Sequence, residues 1–337
     1  MSVRGWANVA AQHPALTSPP QSDPTQTNPA QTNPAQTNPA QTDPAQINPA
    51  QINPAGPTGG GSPGPANPTD PLTPIRAILA TMAGRPGLPA VDGLAPGLTV
   101  TGADGWLPAT ELISGDALAD LLATAQRRWQ ASPHVAAAVA WKYYTYWVAL
   151  PAVIGFAAAR RVPDLRPSNV VTKWSVHGRF LTVGLAAPSV AVLPTDPLAA
   201  SARPMPTDPL AASAGPRPGV RVVPDETAAL DVLRQWLLAE HLDPLLDNLR
   251  RGLRLGRRTL WGSVASGVAH GVSRAAVALA DPALSVASRI LTALDLADLV
   301  ELTPATDGGP GLDVQRKTCC LAFALPEPRI CAGCCIR

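Results

Sequence analysis

Beyond residue 72 the apolar positions recur mostly at helical spacing. The segment PIRAILATMAG, starting at Pro74, predicts a short helix. Leu118, Leu121, Leu122 and Ala125 share one face of a predicted helix capped by Ser114 and running to about Gln130. A further helix is predicted from Ser132-Pro133, with the serine as cap and the proline at the first helical position. It carries Trp141, Tyr144 and Val148 at helical spacing. After Asn169 the period changes to the alternation of strands. VVTKWSV and RFLTVGLA, separated by His177-Gly178, predict a hairpin over 170–176 and 179–186, and 221–223 predicts a return to the sheet. Asp225 predicts the cap of a helix bearing Leu230, Leu233 and Leu237, and Asp243-Pro244 the start of another with Leu245, Leu246, Leu249 and Leu253. A small-residue helix is expected over about 258–280. Asp281-Pro282 opens a last one that ends before Pro304, and ATDGGPG reads as a linker. The fold expected is therefore α+β and mainly helical, with a small antiparallel sheet.

One apolar run, 143–159, resembles a membrane span. It is shorter than the ~20 residues needed to cross a bilayer, contains Pro151, and is flanked by Lys142 and Arg160-Arg161. A buried core helix broken at the proline is the expectation. Positive flanks and aromatic ends would also suit an interfacial helix, so any membrane association would be peripheral. The opening MSVRGWANVAAQHPAL has no continuous apolar stretch of the secretory kind, which predicts a cytoplasmic protein.

Two segments lie outside the helical pattern. Residues 23–57 repeat a five-residue unit of the NPAQT type, and a Gly/Pro-rich stretch follows. Proline every fifth residue forbids a helix and leaves no apolar face to bury, so 1–71 is expected to be a disordered tail. PTDPLAASA occurs at 194–202 and again at 206–214, which predicts a low-complexity surface insertion over 194–219. The expected organisation is tail (1–71), helical domain (72–312) and terminal segment (313–337).

Composition changes this picture little. The chain is 46% hydrophobic and 15% charged with a net charge of +2, which suits one sizeable core. No long basic run argues for nucleic acid as a partner. No G-x-G-x-x-G follows a strand, and neither a P-loop nor a G-x-S-x-G elbow occurs, so nicotinamide, flavin and nucleotide folds are not indicated.

The cysteines carry the chemistry. All five fall in the last nineteen residues, as C-C-x10-C-x2-C followed by one more: Cys319, Cys320, Cys331, Cys334 and Cys335. In a reducing compartment, clustered cysteines bind metal more often than they form disulfides. Four thiolates satisfy a tetrahedral zinc or the two irons of a 2Fe-2S cluster. Neighbouring Cα atoms are only about 3.8 Å apart and their side chains diverge, which makes it harder for a vicinal pair to chelate one zinc ion. Iron–sulfur cluster, zinc site and redox-active thiols all stay open on spacing alone.

QRKTCCLAFALPEPRICAGCC resembles the C-terminal segment of ferric-siderophore reductases of the FhuF type. WKYYTYWVALPAVIGFAAARRVPDL, HLDPLLDNL and LWGSVAS match that family more loosely, so the resemblance covers about 75–337 without the insertion at 194–219. It implies that Cys319, Cys320, Cys331 and Cys334 bind a 2Fe-2S cluster. It also implies one-electron reduction of siderophore-bound Fe(III), of hydroxamate type, with electrons from a separate donor protein. Two positions depart from the family. Cys335 stands where proline is common, and Ser263 stands where asparagine follows Trp-Gly.

Around the cysteines Arg316, Lys317, Arg329 and Arg337 outnumber Glu327. Positive charge raises a cluster's potential and draws in anionic chelates or an acidic donor. A substrate site is sought in NLRRGLRLGRRTLWG. If the helix continues through Gly252 and Gly256, Arg250, Arg254, Arg257 and Arg258 fall on one side, with Trp261 beyond. Arg250, Arg254, Arg258 and Trp261 are the candidate substrate contacts, against the plainer reading of a solvated basic face. CLAFAL is expected to form a short strand, because Leu321, Phe323 and Leu325 alternate. His134, His177, His241 and His270 have no metal-ligand spacing and are expected in core or surface roles.

Overall fold

The apolar run that resembles a span forms the middle of the molecule. In the computed structural model, which describes residues 70–83, 91–102, 104–114, 116–202, 219–331 and 333–336, it belongs to the helix α4, Pro133–Ala159. A helix apolar on every side has to be covered on every side. α4 is flanked by α1 (Thr73–Ala83), α3 (Asp116–Trp129) and α7 (Arg257–Ala275), and its residues from Val135 to Ala157 are mostly buried. Pro151 does not break it, contrary to expectation. α4 runs on to Ala159, and the neighbouring elements hold the helix through the proline. It ends at Arg160, which has a left-handed backbone (φ 54°), and whose Nη1 donates to the carbonyls of Phe156 and Ala157 at 3.0 Å. No helix among the described residues is long and apolar enough to cross a membrane.

The fold is α+β and mainly helical. After α1, strands β1 (Leu94–Thr99) and β2 (Leu107–Pro108) and the short helix α2 (Ala109–Ser114) lead into α3. Ser114 thus closes α2 instead of capping α3; its hydroxyl donates back to the Glu111 carbonyl. β3 (Val162–Pro163) follows α4. The predicted hairpin is present as β4 (Val170–Trp174) and β5 (Leu181–Leu185), antiparallel from Val170↔Leu185 to Trp174↔Leu181. β1 adds parallel to β5 and β2 antiparallel to β4, giving the order β1-β5-β4-β2. β6 (Val190–Val192) lies between β3 and β7 (Val220–Val222) in a second small sheet, so the segment near 221–223 does return to a sheet.

The first copy of the duplicated PTDPLAASA is part of the fold. Asp196 accepts from the Leu198 N–H at 2.9 Å and makes a two-pronged ion pair with the buried Arg161, at 2.7 and 3.0 Å. Leu198 is buried. The expected surface insertion therefore begins later. The second copy, the tail to residue 69 and the remainder of the insertion (203–218) lie outside the described residues.

Asp225 caps α5 (Glu226–Leu233) through the Ala228 N–H at 2.8 Å, as the sequence predicts. The turns then widen into a π-helical stretch, Arg234–Leu242, before α6 (Asp243–Gly252). α7 and α8 (Ala283–Ala293) complete the helices. The predicted last helix is shorter than expected. Beyond it β8 (Val300–Pro304) and β9 (Leu312–Arg316) form an antiparallel hairpin, and the expected linker ATDGGPG is its turn. All described residues, the cysteine segment included, belong to one unit, Gln41–Arg337.

Candidate metal centre

β9 delivers the first cysteine pair. Its burial alternates, with Leu312, Val314 and Arg316 facing inward. Lys317 N–H donates to the Leu299 carbonyl at 3.0 Å, which holds the chain to the end of the helical layer just before Cys319. The second cysteine group comes back along the same strand. Arg316 N–H donates to the Gly333 carbonyl at 2.9 Å, and Gln315 Nε2 donates to the Cys334 carbonyl at 2.9 Å. This approach requires glycine, since a Cβ at Gly333 would lie 1.7 Å from the Val314 carbonyl oxygen. The x2 loop closes on itself through Cys334 N–H and the Cys331 carbonyl at 3.1 Å.

Between the two groups the chain makes a 3-10 turn, Ala322–Ala324, not the strand expected from its alternation. Leu321 has φ 62°, and Arg329 N–H ties back to the Ala322 carbonyl at 3.1 Å. A strand adds about 3.3 Å per residue and would carry Cys331 away from Cys320; the turn returns it. Ala322 and Leu325 face inward, while Phe323 and Ile330 are 41% and 52% exposed.

The cysteine segment forms a small apolar cluster of its own on the N-terminal half of α4. Cys320, Cys331 and Cys334 are buried there with Ala322, Leu325, Val135 and Val139, and Trp129, Tyr143 and Leu321 pack around them. All five cysteines are free thiols. Cys331 shares a hydrogen bond with Cys320. That bond, with the charges of Lys142 and Arg316 and the Ala322 N–H, holds the Cys320 thiol well below its ordinary value, and the same contact and burial push Cys331 up. Leu321 N–H donates to Cys319 Sγ at 3.3 Å. Burial, and the neighbouring sulfurs of Cys319 and Cys334, push the Cys335 thiol up. Among the described residues, no three Cys, His, Asp or Glu side chains are already gathered as closely as a bound ion requires.

Arg316 is the unusual member of this neighbourhood. It is 3% exposed and pairs with no carboxylate among the described residues. Its Nε donates to the Thr318 carbonyl at 3.2 Å and its Nη2 to Ser263 Oγ at 3.1 Å. Ser263 thus takes a defined polar role, accepting from Arg316. Nη1 of Arg316 and Oγ1 of Thr318 are buried without a hydrogen-bond partner. The signal for Arg316 lies in the sequence. An arginine stands at the third inward-facing position of an alternating strand, where a β-branched or leucine side chain is the rule.

The predicted substrate face does not form as one helical side. α6 ends at Gly252, Leu253 is extended, and α7 begins only at Arg257. Two glycines four residues apart cost helix stability on both sides of the break. Arg250 turns its Nε to the Leu255 carbonyl at 3.1 Å, which fastens that break, and Arg254 is exposed. Arg258 and Trp261 do line a common cleft of about 470 Å³, with Arg234, Arg257, Asp243 and Asp298 among its walls. Arg234 donates to the Ala293 carbonyl at 3.1 Å, and the other two arginines are answered by anions. Arg257 pairs with Asp243 and, at 2.9 Å, with Asp247, and Arg258 pairs with Asp298 at 2.7 Å. The cleft borders the cysteine segment through Leu299, which accepts from Lys317, and through α7, where Gly262 meets Thr318.

His241 is a core histidine, as expected, and His134 and His177 are exposed. Tyr144 is in the core, while Tyr143 packs against Trp129 and Phe180 beside the cysteine cluster. Burial raises Tyr143 to about 12, against the nearby charges of Arg329 and Arg128. Arg337 lies outside the described residues.

The donor set fits a thiolate-bound metal group. The chemistry is that of soft sulfur donors, of which Cys320 and Cys331 share a hydrogen bond; their charged neighbours are cations, and a buried guanidinium nitrogen nearby has no protein acceptor. No protein-family model and no curated protein matches the chain.

Proposed function

We propose that this protein is a ferric-siderophore reductase that takes single electrons from a separate donor protein and delivers them to chelated Fe(III) in the cytoplasm. The observation that carries the reading is the set of free thiols at Cys319, Cys320, Cys331 and Cys334, the last three buried in one cluster, near Arg316, a buried cation with no carboxylate partner among the described residues. Isolated buried charge is costly, and thiolates would answer it. The family resemblance of the C-C-x10-C-x2-C tail supports the same assignment. A 2Fe-2S cluster, when bound, supplies a one-electron couple.

The chain's own residues have separate tasks. The four cysteines hold the group as thiolates, and Arg316 and Lys142 offset their charge. Val135, Val139, Ala322 and Leu325 keep water from one side. Phe323 and Ile330 leave an exposed apolar edge on the same segment, where a donor or a chelate can approach. Fe(III), the substrate, is a hard ion held by the oxygen donors of a hydroxamate. As Fe(II) it is held far more weakly, so reduction is also release.

One observation favours a second reading, an electron-transfer or iron-sensing protein with no chelate site. Arg257 and Arg258 of the neighbouring cleft are already paired with aspartates, so they offer little net charge to an anionic chelate. The two readings separate in one experiment. Dithionite-reduced protein is mixed anaerobically with ferric hydroxamates and reoxidation is followed in the visible spectrum. Reoxidation no faster than without chelate removes the reductase reading. A colourless, zinc-loaded protein removes both.

A further inference from the structure

The two orphaned donors beside the cysteines have a common explanation. A buried N–H or O–H without an acceptor costs about 1–3 kcal/mol, and the few such groups in a folded protein mark strain, an unseen ligand or a redox role. Here two of them, Arg316 Nη1 and Thr318 Oγ1, stand three residues and one residue before Cys319. Neither is loosely held. Arg316 is anchored at its other two nitrogens by the Thr318 carbonyl and Ser263 Oγ. Thr318 is pressed against α7, where a Cβ on Gly262 would stand 1.8 Å from its hydroxyl oxygen. The guanidinium fork is planar, so fixing Nε and Nη2 also fixes the direction of Nη1. No sulfur or oxygen of the described residues accepts from either donor, yet the chain around them carries the cysteines: Arg316 N–H bonds the Gly333 carbonyl, between Cys331 and Cys334, and Thr318 stands next to Cys319.

We infer that Arg316 Nη1 and Thr318 Oγ1 donate hydrogen bonds to the sulfur atoms of the metal group held by the cysteines, and that Ser263 positions Arg316 for this. The inference rests on the cluster assignment above. Its consequence is a raised reduction potential, because donors and positive charge at the sulfurs favour the reduced, more negative state. Arg316 and Thr318 are positioning residues here, with no part in binding the chelate.

The test is a redox titration of the iron-loaded full chain, monitored by EPR and visible absorption, on wild type, Arg316→Met, Arg316→Lys and Thr318→Val. Iron and acid-labile sulfide are measured on each sample. Arg316→Met is expected to lower the equilibrium constant for reduction at least ten-fold, about 59 mV for one electron, and to shift the EPR g-values. Arg316→Lys keeps the charge without the fork and should fall between. Thr318→Val should lower the constant about three-fold, while the metal-free protein melts no lower than wild type, since the change removes an unsatisfied polar group. Unchanged potential and g-values in cluster-loaded Arg316→Met and Thr318→Val overturn the inference and leave the cluster assignment standing. A wild-type protein without iron and sulfide overturns both. If Arg316→Met does not fold, Thr318→Val decides: a fall in potential supports the inference and no change ends it.

Discussion

The hydroxyl of Tyr144 stands 2.7 Å from Nε2 of His241, in the core between α4 and the π-helical stretch. On the other side of the ring Nδ1 lies 2.6 Å from the Leu165 carbonyl, which can only accept. The proton is therefore on Nδ1, and Tyr144 donates to Nε2. Both side chains are buried, and the network serves the neutral imidazole alone.

Acid should expose this arrangement. Burial lowers His241 to about 4 from 6.5, against the smaller opposing effect of the Leu165 bond. The unfolded chain takes up a proton below pH 6.5 and the folded one only near 4. Stability is thus complete above about pH 6.5 and is lost as pH falls towards 4, by on the order of 3 kcal/mol. Urea unfolding at pH 7.0, 5.5 and 4.5 should show a steeper loss for wild type than for His241→Asn. The variant should itself be weaker at pH 7 by about 1–3 kcal/mol, since Tyr144 loses its acceptor. Equal slopes would refute the assignment.

The ligand set makes its own forecast. Serine at Cys319, Cys320, Cys331 or Cys334 should each reduce bound iron and sulfide several-fold and bleach the visible bands. Cys335→Ser should retain them. Cys335 is only half-buried and lies beside Cys319 and Cys334, so equal loss in all five variants would mean that it shares in binding.

Gly333 offers a structural control. Gly333→Ala drives a methyl into the Val314 carbonyl and should break the Arg316–Gly333 bond that returns Cys334 to Cys320. Metal content is expected to fall with all cysteines present, with a stability loss of about 2–4 kcal/mol. Wild-type iron content in this variant would show that the second cysteine group needs no such approach.

Arg161 and Asp196 form a buried pair at the edge of the helical layer. Asp196→Ala should cost about 3–5 kcal/mol by leaving an unanswered guanidinium, whereas the double change Arg161→Met, Asp196→Leu should recover most of it. Thermal melting of the three proteins decides. A single variant as stable as wild type would mean that the first PTDPLAASA copy is a surface loop after all.

Helical spacing, the Asp225 cap and the 170–186 hairpin could be read from local pattern, because each depends on neighbours a few residues away. The β8–β9 hairpin could not. Val300–Pro304 and Leu312–Arg316 are short, and ATDGGPG serves equally as a linker or a turn until the strands find each other. The Arg250–Trp261 run departs from a single helical side for a related reason. Whether a helix survives two glycines depends on what packs against it, and here Arg250 fastens the break instead.

The sequence by itself determined which atoms could do chemistry: five sulfurs at fixed spacings, with arginines and a lysine nearby. It also determined that the apolar run 143–159 would be covered, since no polar face interrupts it. Only the tertiary structure decided that the two cysteine groups meet, that CLAFAL turns instead of extending, and that Arg316 is buried without a carboxylate. Spacing along a chain sets identity and period. Convergence and burial depend on contacts made across long loops, such as Gly333 against Val314 and Arg316 against Ser263, which no local pattern encodes.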